Sequence, residues 1–272
     1  MKISLIESVV FKACIGIIIL IFTFPFSIKA HKLLPSIDVG EKTHQFYDAT
    51  KEVFIVIPDA NTYYIYNEDK GGYEKMPLQF QTDSTFEHFV NEFYPVSTAN
   101  DGTFFVHKGC GVVYRFIGNK LYRHDKSFYH LNQFGGAIFL DEDEIYMFGG
   151  YGLFTCKNIL VRYDRNLREW FNVDYIGTPP APIFYPIVGI HQNKMYYLGG
   201  LNKWAEVSDA NVYAFNFSSN YWRIMGGLSA DFLLYINKLI TRMDQSRANA
   251  GFAFGDEILL EMDFHQYTFR SR

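Results

Sequence analysis

The sequence has little cysteine and no excess of positive charge. It contains three cysteines in 272 residues. Only Cys110 and Cys156 lie outside the amino-terminal segment, so at most one disulfide can form in the rest of the chain. The formal net charge is −4, and because residues 1–30 carry three lysines and one glutamate, the remainder carries −6. This argues against a broad nucleic-acid-binding surface, which requires a positive field.

Local motifs for catalysis or metal binding are also missing. The eight histidines form no closely spaced pair, and neither Cys-x-x-Cys nor His-Glu-x-x-His occurs. There is no glycine-rich phosphate loop and no Gly-x-Ser-x-Gly elbow. We interpret the acidic run at residues 141–144 as a solvated hairpin turn, with calcium ligation as the alternative. No catalytic residue, metal or cofactor is therefore predicted, although a site assembled from distant segments would leave no such motif.

Aromatic residues, in contrast, are abundant. Phenylalanine, tyrosine and tryptophan make up 18% of the chain, against 20% charged and 49% hydrophobic residues. The balance of hydrophobic and charged residues is that of a folded protein. Because aromatic side chains suit a pleated, half-buried surface, the composition favours β structure.

Residues 1–30 are typical of an export signal. Met1-Lys2 and Lys12 precede an apolar run that ends near Ile28, followed by Ala30 as a cleavage position. An uncleaved signal anchor is the alternative, because the run from residue 9 to residue 28 approaches the length of a membrane helix. A buried core segment is the third interpretation. The first two place residues 31–272 outside the cytosol, as a secreted, periplasmic, extracellular or membrane-attached domain.

Export would permit two covalent modifications. Cys110 and Cys156 could form a disulfide in an oxidising compartment, or remain two separate buried thiols. Asn216 begins the sequence Asn-Phe-Ser, an acceptor for glycosylation if the host is a eukaryote.

Two stretches, residues 136–173 and 185–225, share one order of features. Each has two apolar strands around a polar turn, a Gly-Gly pair ending the second strand, a variable loop, and two strands that each carry an aromatic residue. The glycine pairs are Gly149-Gly150 and Gly199-Gly200, and the aromatic pairs, seven residues apart, are Tyr163 with Trp170 and Phe215 with Trp222. The same interval recurs at Tyr66 with Tyr73 and at Tyr122 with Tyr129.

This pattern resembles the kelch repeat. The resemblance covers residues 136–225 well and residues 44–132 loosely, because the first two units lack a double glycine and offer only Gly109-Cys110-Gly111. It implies a β-propeller, in which blades stack radially because one blade cannot bury both of its faces. The glycine pair would allow a sharp turn, and the aromatic pair would pack between neighbouring sheets.

The predicted fold class is all-β, a kelch-like β-propeller of about five four-stranded blades over residues 31–272, with an incomplete ring as the alternative. The segment from residue 250 predicts the fifth unit, and residues 33–40 could close the ring. Two helical insertions are expected. Residues 84–93 carry a capping box of Ser84 and Glu87, and residues 229–246 carry an apolar stripe. We interpret both as cover for the core, with a partner-binding groove as the alternative.

The kelch resemblance directs attention to the loops after the Gly-Gly strands. Such loops commonly line one mouth of the central channel, where partners or sugars bind. The candidate binding residues are Tyr151, Lys203 and Trp204. An exposed Trp204 could stack on a sugar or anchor a protein, whereas a Trp204 folded over its own blade would be structural.

The preferred function is an exported, non-catalytic module that binds a protein or carbohydrate partner at the channel mouth. An exported sugar-modifying enzyme of the kelch type, similar to a mutarotase, is the alternative, because such an enzyme needs only a few acid or base groups facing the channel. A partial propeller without independent activity is the third hypothesis.

Overall fold

The computed structural model describes residues 37, 43–80, 85–126, 133–204, 206, 210–231 and 233–234, together with the backbone of three strands between residues 251 and 270. Five largely antiparallel sheets follow one another along this part of the chain, and a two-stranded hairpin is inserted in the third. The segments 33–36 and 38–40, expected to close the ring, and the whole of residues 1–30 lie outside the described residues.

The first two sheets are formed before residue 124. Sheet 1 consists of β1 (His44–Asp48), β2 (Val53–Asp59), β3 (Thr62–Asn67) and β4 (Gly72–Pro77). Sheet 2 consists of β6 (Phe93–Thr98), β7 (Gly102–His107), β8 (Val113–Ile117) and β9 (Lys120–Arg123), with β5 (Gln79–Phe80) at its outer edge.

The remaining sheets follow the same order. Sheet 3 consists of β10 (Ala137–Asp141), β11 (Glu144–Phe148), β14 (Leu160–Asp164) and β15 (Glu169–Asn172), and a small hairpin of β12 (Tyr151–Gly152) and β13 (Thr155–Cys156) lies between its second and third strands. Sheet 4 consists of β17 (Phe184–His191), β18 (Lys194–Leu201), β19 (Asn211–Asn216) and β20 (Tyr221–Gly227), with β16 (Ile176–Gly177) at its outer edge. Sheet 5 consists of β21 (Gly251–Phe254), β22 (Glu257–Met262) and β23 (His265–Arg270).

The sheets are stacked in chain order through their first strands. β1 contacts β6, β6 contacts β10, β10 contacts β17, and β17 contacts β21. This succession of antiparallel sheets is blade-like, so the predicted all-β class is confirmed.

Two short strands cross from one sheet to the next. β5 leaves sheet 1 and pairs in parallel with β9, at Gln79 opposite Lys120. β16 leaves sheet 3 and pairs in parallel with β20, at Ile176 opposite Tyr221. Each crossing strand covers the outer edge of the following sheet, where unpaired backbone groups would otherwise face solvent.

The hydrophobic core lies between successive sheets. Because neighbouring residues of a strand point to opposite faces, Phe105 packs against sheet 1, next to Phe46, while Phe104 packs against sheet 3, in the cluster that contains Ile138. A third cluster, between sheets 3 and 4, contains Phe148 and Tyr197. One sheet therefore contributes aromatic residues to two cores, which explains the large number of aromatics in the chain.

The seven-residue interval between paired aromatic residues follows from the register of the outer hairpin, which is formed by the third and fourth strands of a sheet. Tyr163 lies directly opposite Trp170, and Phe215 directly opposite Trp222, each with ring centroids 5.1 Å apart. The pair in sheet 3 packs against sheet 2, and the pair in sheet 4 packs against sheet 3. The structure thus places both aromatic pairs between neighbouring sheets.

The two Gly-Gly pairs do not have the same setting. Gly149 and Gly150 follow the end of β11 with φ of 72° and 102°, and a Cβ on Gly150 would lie 2.5 Å from backbone atoms of Gln133. Gly199 and Gly200 instead lie inside β18, where the pairing with β17 shifts register. The prediction that the second pair ends its strand is therefore wrong.

The helical insertion at residues 84–93 is present as α1 (Phe86–Glu92), which buries Phe89 in the core between sheets 1 and 2. Its N-cap is Thr85, whose side chain accepts a hydrogen bond from the amide of His88. The predicted cap at Ser84 is therefore one residue too early.

The second predicted helix lies mostly outside the described residues. Within it, the amide of Leu233 donates to the carbonyl of Ser229 at 2.9 Å, which forms one helical turn. In the part of the chain that the structure describes, no helix is long and apolar enough to cross a membrane. The apolar run at residues 9–28 lies outside that part.

Candidate functional site

One edge of the stacked sheets carries the long loops. In each antiparallel sheet the first strand begins, and the second strand ends, at the same edge. The segments that meet there are therefore 108–112, 133–136, 149–159, 182–185 and 201–204, with Glu206. We call this edge the loop face.

Hydrogen bonds join the loop face across three sheets. The amide of Gly135 donates to the carbonyl of Lys108 at 3.0 Å, and the carbonyl of Gly135 accepts from the amide of Tyr185 at 2.7 Å. Gly135 thus connects a loop of sheet 2 with the first strand of sheet 4. The buried Gln133 donates from Nε2 to the carbonyl of Gly149 at 2.8 Å. The loops are held by backbone groups, which fixes the side chains that they present.

Four aromatic side chains lie together on this face, and we call them the aromatic platform: Phe134, Tyr151, Phe184 and Tyr185. The backbones of Phe134 and Tyr151 exchange two hydrogen bonds, of 2.9 and 2.8 Å. The Tyr151 ring lies 6.0 Å from that of Phe184, which lies 4.9 Å from that of Tyr185. Phe134 and Tyr151 are exposed although large and apolar. The platform is therefore an ordered aromatic surface that is exposed at Phe134 and Tyr151 and half-buried at Phe184 and Tyr185.

The β12–β13 hairpin carries the most exposed apolar residues on this face. Its two turn residues, Leu153 and Phe154, are 74% and 91% exposed. Both have left-handed backbone conformations, with φ of 52° and 63°. We call these two residues the hairpin tip.

Trp204 lies in the neighbouring loop after β18 and is 71% exposed. The Oδ1 atom of Asn202 accepts hydrogen bonds from the amides of Trp204, at 2.8 Å, and Glu206, at 3.1 Å, so the backbone of this loop is closed on itself. The ammonium of Lys203 lies 4.8 Å from the centroid of the Trp204 ring, a cation–π geometry. Trp204 is thus held open to solvent rather than folded over its own sheet.

The cysteines do not form the disulfide that the sequence left open. Cys110 and Cys156 are both free thiols. Burial raises the pKa of each thiol, and the positive charge of Lys203 acts in the opposite direction on Cys156. The charge of Lys203 therefore acts on the base of the hairpin, where Cys156 pairs with Tyr151.

A histidine borders the platform at Phe134. The ring of His107 lies 6.3 Å from that of Phe134, its Nδ1 accepts from the amide of Cys110 at 3.1 Å, and its Nε2 lies 3.3 Å from a carboxylate oxygen of Glu92. Burial lowers the pKa of His107, and the carboxylate of Glu92 raises it in part. Both ring nitrogens are thus engaged within the protein.

The opposite edge carries the acidic run. Asp143, in the turn between β10 and β11, accepts hydrogen bonds from the amide of Ala99 and, at 2.8 Å, from the side chain of Asn100. Arg165 lies 3.2 Å from the same carboxylate. The run therefore binds sheet 2 to sheet 3, and among the described residues no group of three acidic, histidine or cysteine side chains could hold a metal ion. Asn216 ends β19 at this edge and accepts from the amide of Ser219 at 3.1 Å.

The chain is similar to a curated protein over part of its length. Over 92 residues, 33% of its length, the chain is 27% identical to Kelch domain-containing protein 10 of Xenopus tropicalis, and the matched part is 22% of that protein. The chain thus covers less than a quarter of this relative. No protein-family model matches the chain. The similarity and the blade-like sheets are consistent with a kelch-like fold.

Sequence reasoning selected Tyr151, Lys203 and Trp204, and the structure places all three on the loop face. It missed Phe134, which precedes β10 by three residues, and the hairpin tip. The sequence does contain a signal for the tip, because Leu153-Phe154 is an apolar pair within a loop bounded by glycine at residues 149, 150 and 152. Its exposure could be recognised only from the hairpin that the structure shows.

Proposed function

We propose that this chain is an exported, non-catalytic, kelch-like module that binds a protein partner through the loop face. Kelch-type domains generally bind proteins. The observation that carries the proposal is the aromatic platform, which is ordered by backbone hydrogen bonds across three sheets and exposes Phe134 and Tyr151 to solvent. Large aromatic side chains on a fixed backbone are the residues that contribute most to protein interfaces.

The positions of Trp204 and Lys203 support a carbohydrate as a second candidate ligand. An exposed indole offers a flat face for stacking on a sugar ring. The loop closure by Asn202 fixes this face before any ligand arrives, which lowers the entropic cost of binding.

The test uses the purified chain against a glycan array and a partner pull-down, with Trp204→Ala as the variant. Because Trp204 is exposed, its removal should leave the melting temperature unchanged and weaken binding at least about tenfold. The control is Leu167→Asn, since Leu167 is an exposed apolar residue in the β14–β15 turn, at the opposite edge. If partners bind Trp204→Ala and a Tyr151→Ala variant as tightly as the wild type, the loop face is not the binding surface.

Export is tested separately, by the mass of the chain recovered from its host. Loss of residues 1–30 supports a cleaved signal, whereas an intact chain in the membrane fraction supports an anchor. An intact chain in the cytosolic fraction would overturn the proposal of export without affecting that of partner binding.

A further inference from the structure

The hairpin tip is unusual in both its backbone conformation and its exposure to solvent. A two-residue β turn with both residues at positive φ is normally built from asparagine and glycine, because larger side chains are strained there. Leu153 and Phe154 occupy these positions, and both side chains face solvent. Neither the strain nor the exposure benefits the folded chain, and such exceptions are expected at functional sites.

The shape of the tip indicates what could cover it. Two adjacent apolar side chains stand on a hairpin whose strands, β12 and β13, contain two residues each. Such a narrow, convex element needs a preformed cavity in a protein partner. The boundary between lipid headgroups and acyl chains, in contrast, is fluid and accepts an apolar protrusion without one.

The charges around the tip are positive. Lys157 follows β13 directly, and Lys203 acts on the thiol of Cys156 in that strand. In the described part of the chain neither lysine forms an ion pair; the ammonium of Lys203 lies over the Trp204 ring, and the carboxylate of Glu206, in the same loop, accepts a hydrogen bond from the side chain of Asn202. In a chain with a net charge of −4, two lysines without an ion-pair partner beside the tip fit an anionic surface.

We propose that the loop face docks on an anionic lipid membrane, with Leu153 and Phe154 inserted below the headgroups and Lys157 and Lys203 in contact with them. Trp204 would lie at headgroup depth, the position that indole rings prefer. The inference goes beyond the proposed partner binding, because it depends on the tip and the lysines rather than on the platform.

Trp204 supplies a local probe. The chain has three tryptophans, and Trp170 and Trp222 are buried between sheets, so quenching by lipids with brominated acyl chains reports on Trp204. The full chain is mixed with vesicles of phosphatidylcholine, with or without phosphatidylserine. Every variant carries the same residues 1–36, so any vesicle binding through that segment contributes equally to the wild type and to each variant. A Trp204→Phe variant gives the fluorescence of the two buried tryptophans alone and serves as the blank.

We expect a blue shift and quenching of Trp204 on vesicles that contain phosphatidylserine, reduced by added salt. The double variant Leu153→Asn with Phe154→Gly suits the turn, so its melting temperature should not fall, while its apparent vesicle affinity should fall at least about tenfold. Replacement of Lys157 or Lys203 by glutamine should weaken binding about fivefold each. The exposed-leucine control, Leu167→Asn, should bind like the wild type.

Two results would overturn the inference. The first is a folded wild type whose Trp204 is not quenched on anionic vesicles; if the double tip variant then also loses a protein partner, the tip belongs to a protein interface. The second is equal quenching in the wild type and the double tip variant. Either result leaves the proposal of partner binding through the loop face intact, because that proposal is measured with Trp204→Ala and Tyr151→Ala against soluble partners.

Discussion

The indole N–H of Trp170, in sheet 3, donates a 2.7 Å hydrogen bond to the backbone carbonyl of Gly111, in a loop of sheet 2. Trp222 holds the equivalent place in sheet 4, opposite Phe215, but its indole N–H has no partner among the described residues. The same aromatic hairpin is therefore attached to the preceding sheet by a side-chain hydrogen bond in sheet 3, and by packing in sheet 4.

This difference predicts unequal effects of one substitution. Trp170→Phe removes a buried hydrogen bond and leaves the Gly111 carbonyl without that donor, so it should cost about 1–2 kcal/mol more than Trp222→Phe, which removes a buried N–H that lacks a partner. Both variants lose similar packing volume, so each is the control for the other. Urea unfolding measures the two free energies; equal losses would show that the hydrogen bond does not contribute.

Gly150→Ala should be strongly destabilising. The residue has φ of 102°, and its added Cβ would lie 2.5 Å from backbone atoms of Gln133, which cannot move without breaking the loop face. We expect a loss of about 2–4 kcal/mol in the free energy of unfolding. Gly72→Ala is the matched control, because a Cβ there meets no atom within 4 Å, and it should change stability by less than about 1 kcal/mol. A Gly150→Ala variant as stable as the control would contradict the geometry.

Asp141 should make the protein less stable at neutral pH than in mild acid. Burial, together with the charge of Glu142, raises the pKa of its carboxyl from 3.8 to about 6. Below pH 3.8 both folded and unfolded chains hold the proton, so this stabilising contribution is complete; it is lost as the pH rises to about 6, since the unfolded chain ionises first. Asp141→Asn should therefore gain on the order of 1 kcal/mol over the wild type above pH 6, and nothing below pH 4.

Thermal melts of both proteins across this range check the prediction. Glu142→Gln should give a smaller gain in stability over the same pH range, because the charge of Glu142 raises the pKa of Asp141 less than burial does. A gain for Asp141→Asn that does not vary with pH would point to a cause other than ionisation.

His44 should give the opposite dependence on pH. It lies between Phe89 and Phe105, with ring centroids 5.1 Å from each, and burial lowers its pKa from 6.5 to about 4. The unfolded chain takes up this proton as the pH falls below 6.5, while the folded chain resists it until about pH 4, so stability falls through this window. In His44→Phe this part of the acid sensitivity should disappear from a pH series of urea unfolding curves. His88→Phe, on the exposed side of α1, is the control and should keep it.

The sequence predicted the strands best where packing requires residues of one type at a regular interval. The seven-residue interval at Tyr163 and Trp170 is the register of a hairpin, so it predicted both strands and the residues facing each other. The unit from residue 250 was predicted from two apolar stretches around a polar turn, and three strands are present there as sheet 5. Such patterns are readable because each sheet must bury aromatic residues on two faces.

Features that depend on only two or three residues could not be read in this way. The crossing strands β5 and β16 have two residues each, too few for a pattern, and their partners lie far along the chain. The setting of Gly199 depended on a register shift in β18. Of the three candidate site residues, Lys203 and Trp204 lie in a loop and Tyr151 in the short strand β12. The platform required knowledge of which segments meet, since Phe134 reaches Tyr151 through backbone hydrogen bonds between separate segments.

The crossing strands also set an order of events during synthesis. β5 emerges from the ribosome before the other strands of sheet 2, and Gln79 can pair only when Lys120 has been synthesised. The same delay separates Ile176 from Tyr221. A nascent chain thus contains β5, and later β16, before the strand that pairs with it has been synthesised. Each of them pairs only when the last strand of sheet 2 or sheet 4 is present. Sheets 1 and 2, and likewise sheets 3 and 4, should therefore gain protection from hydrogen exchange as pairs rather than singly.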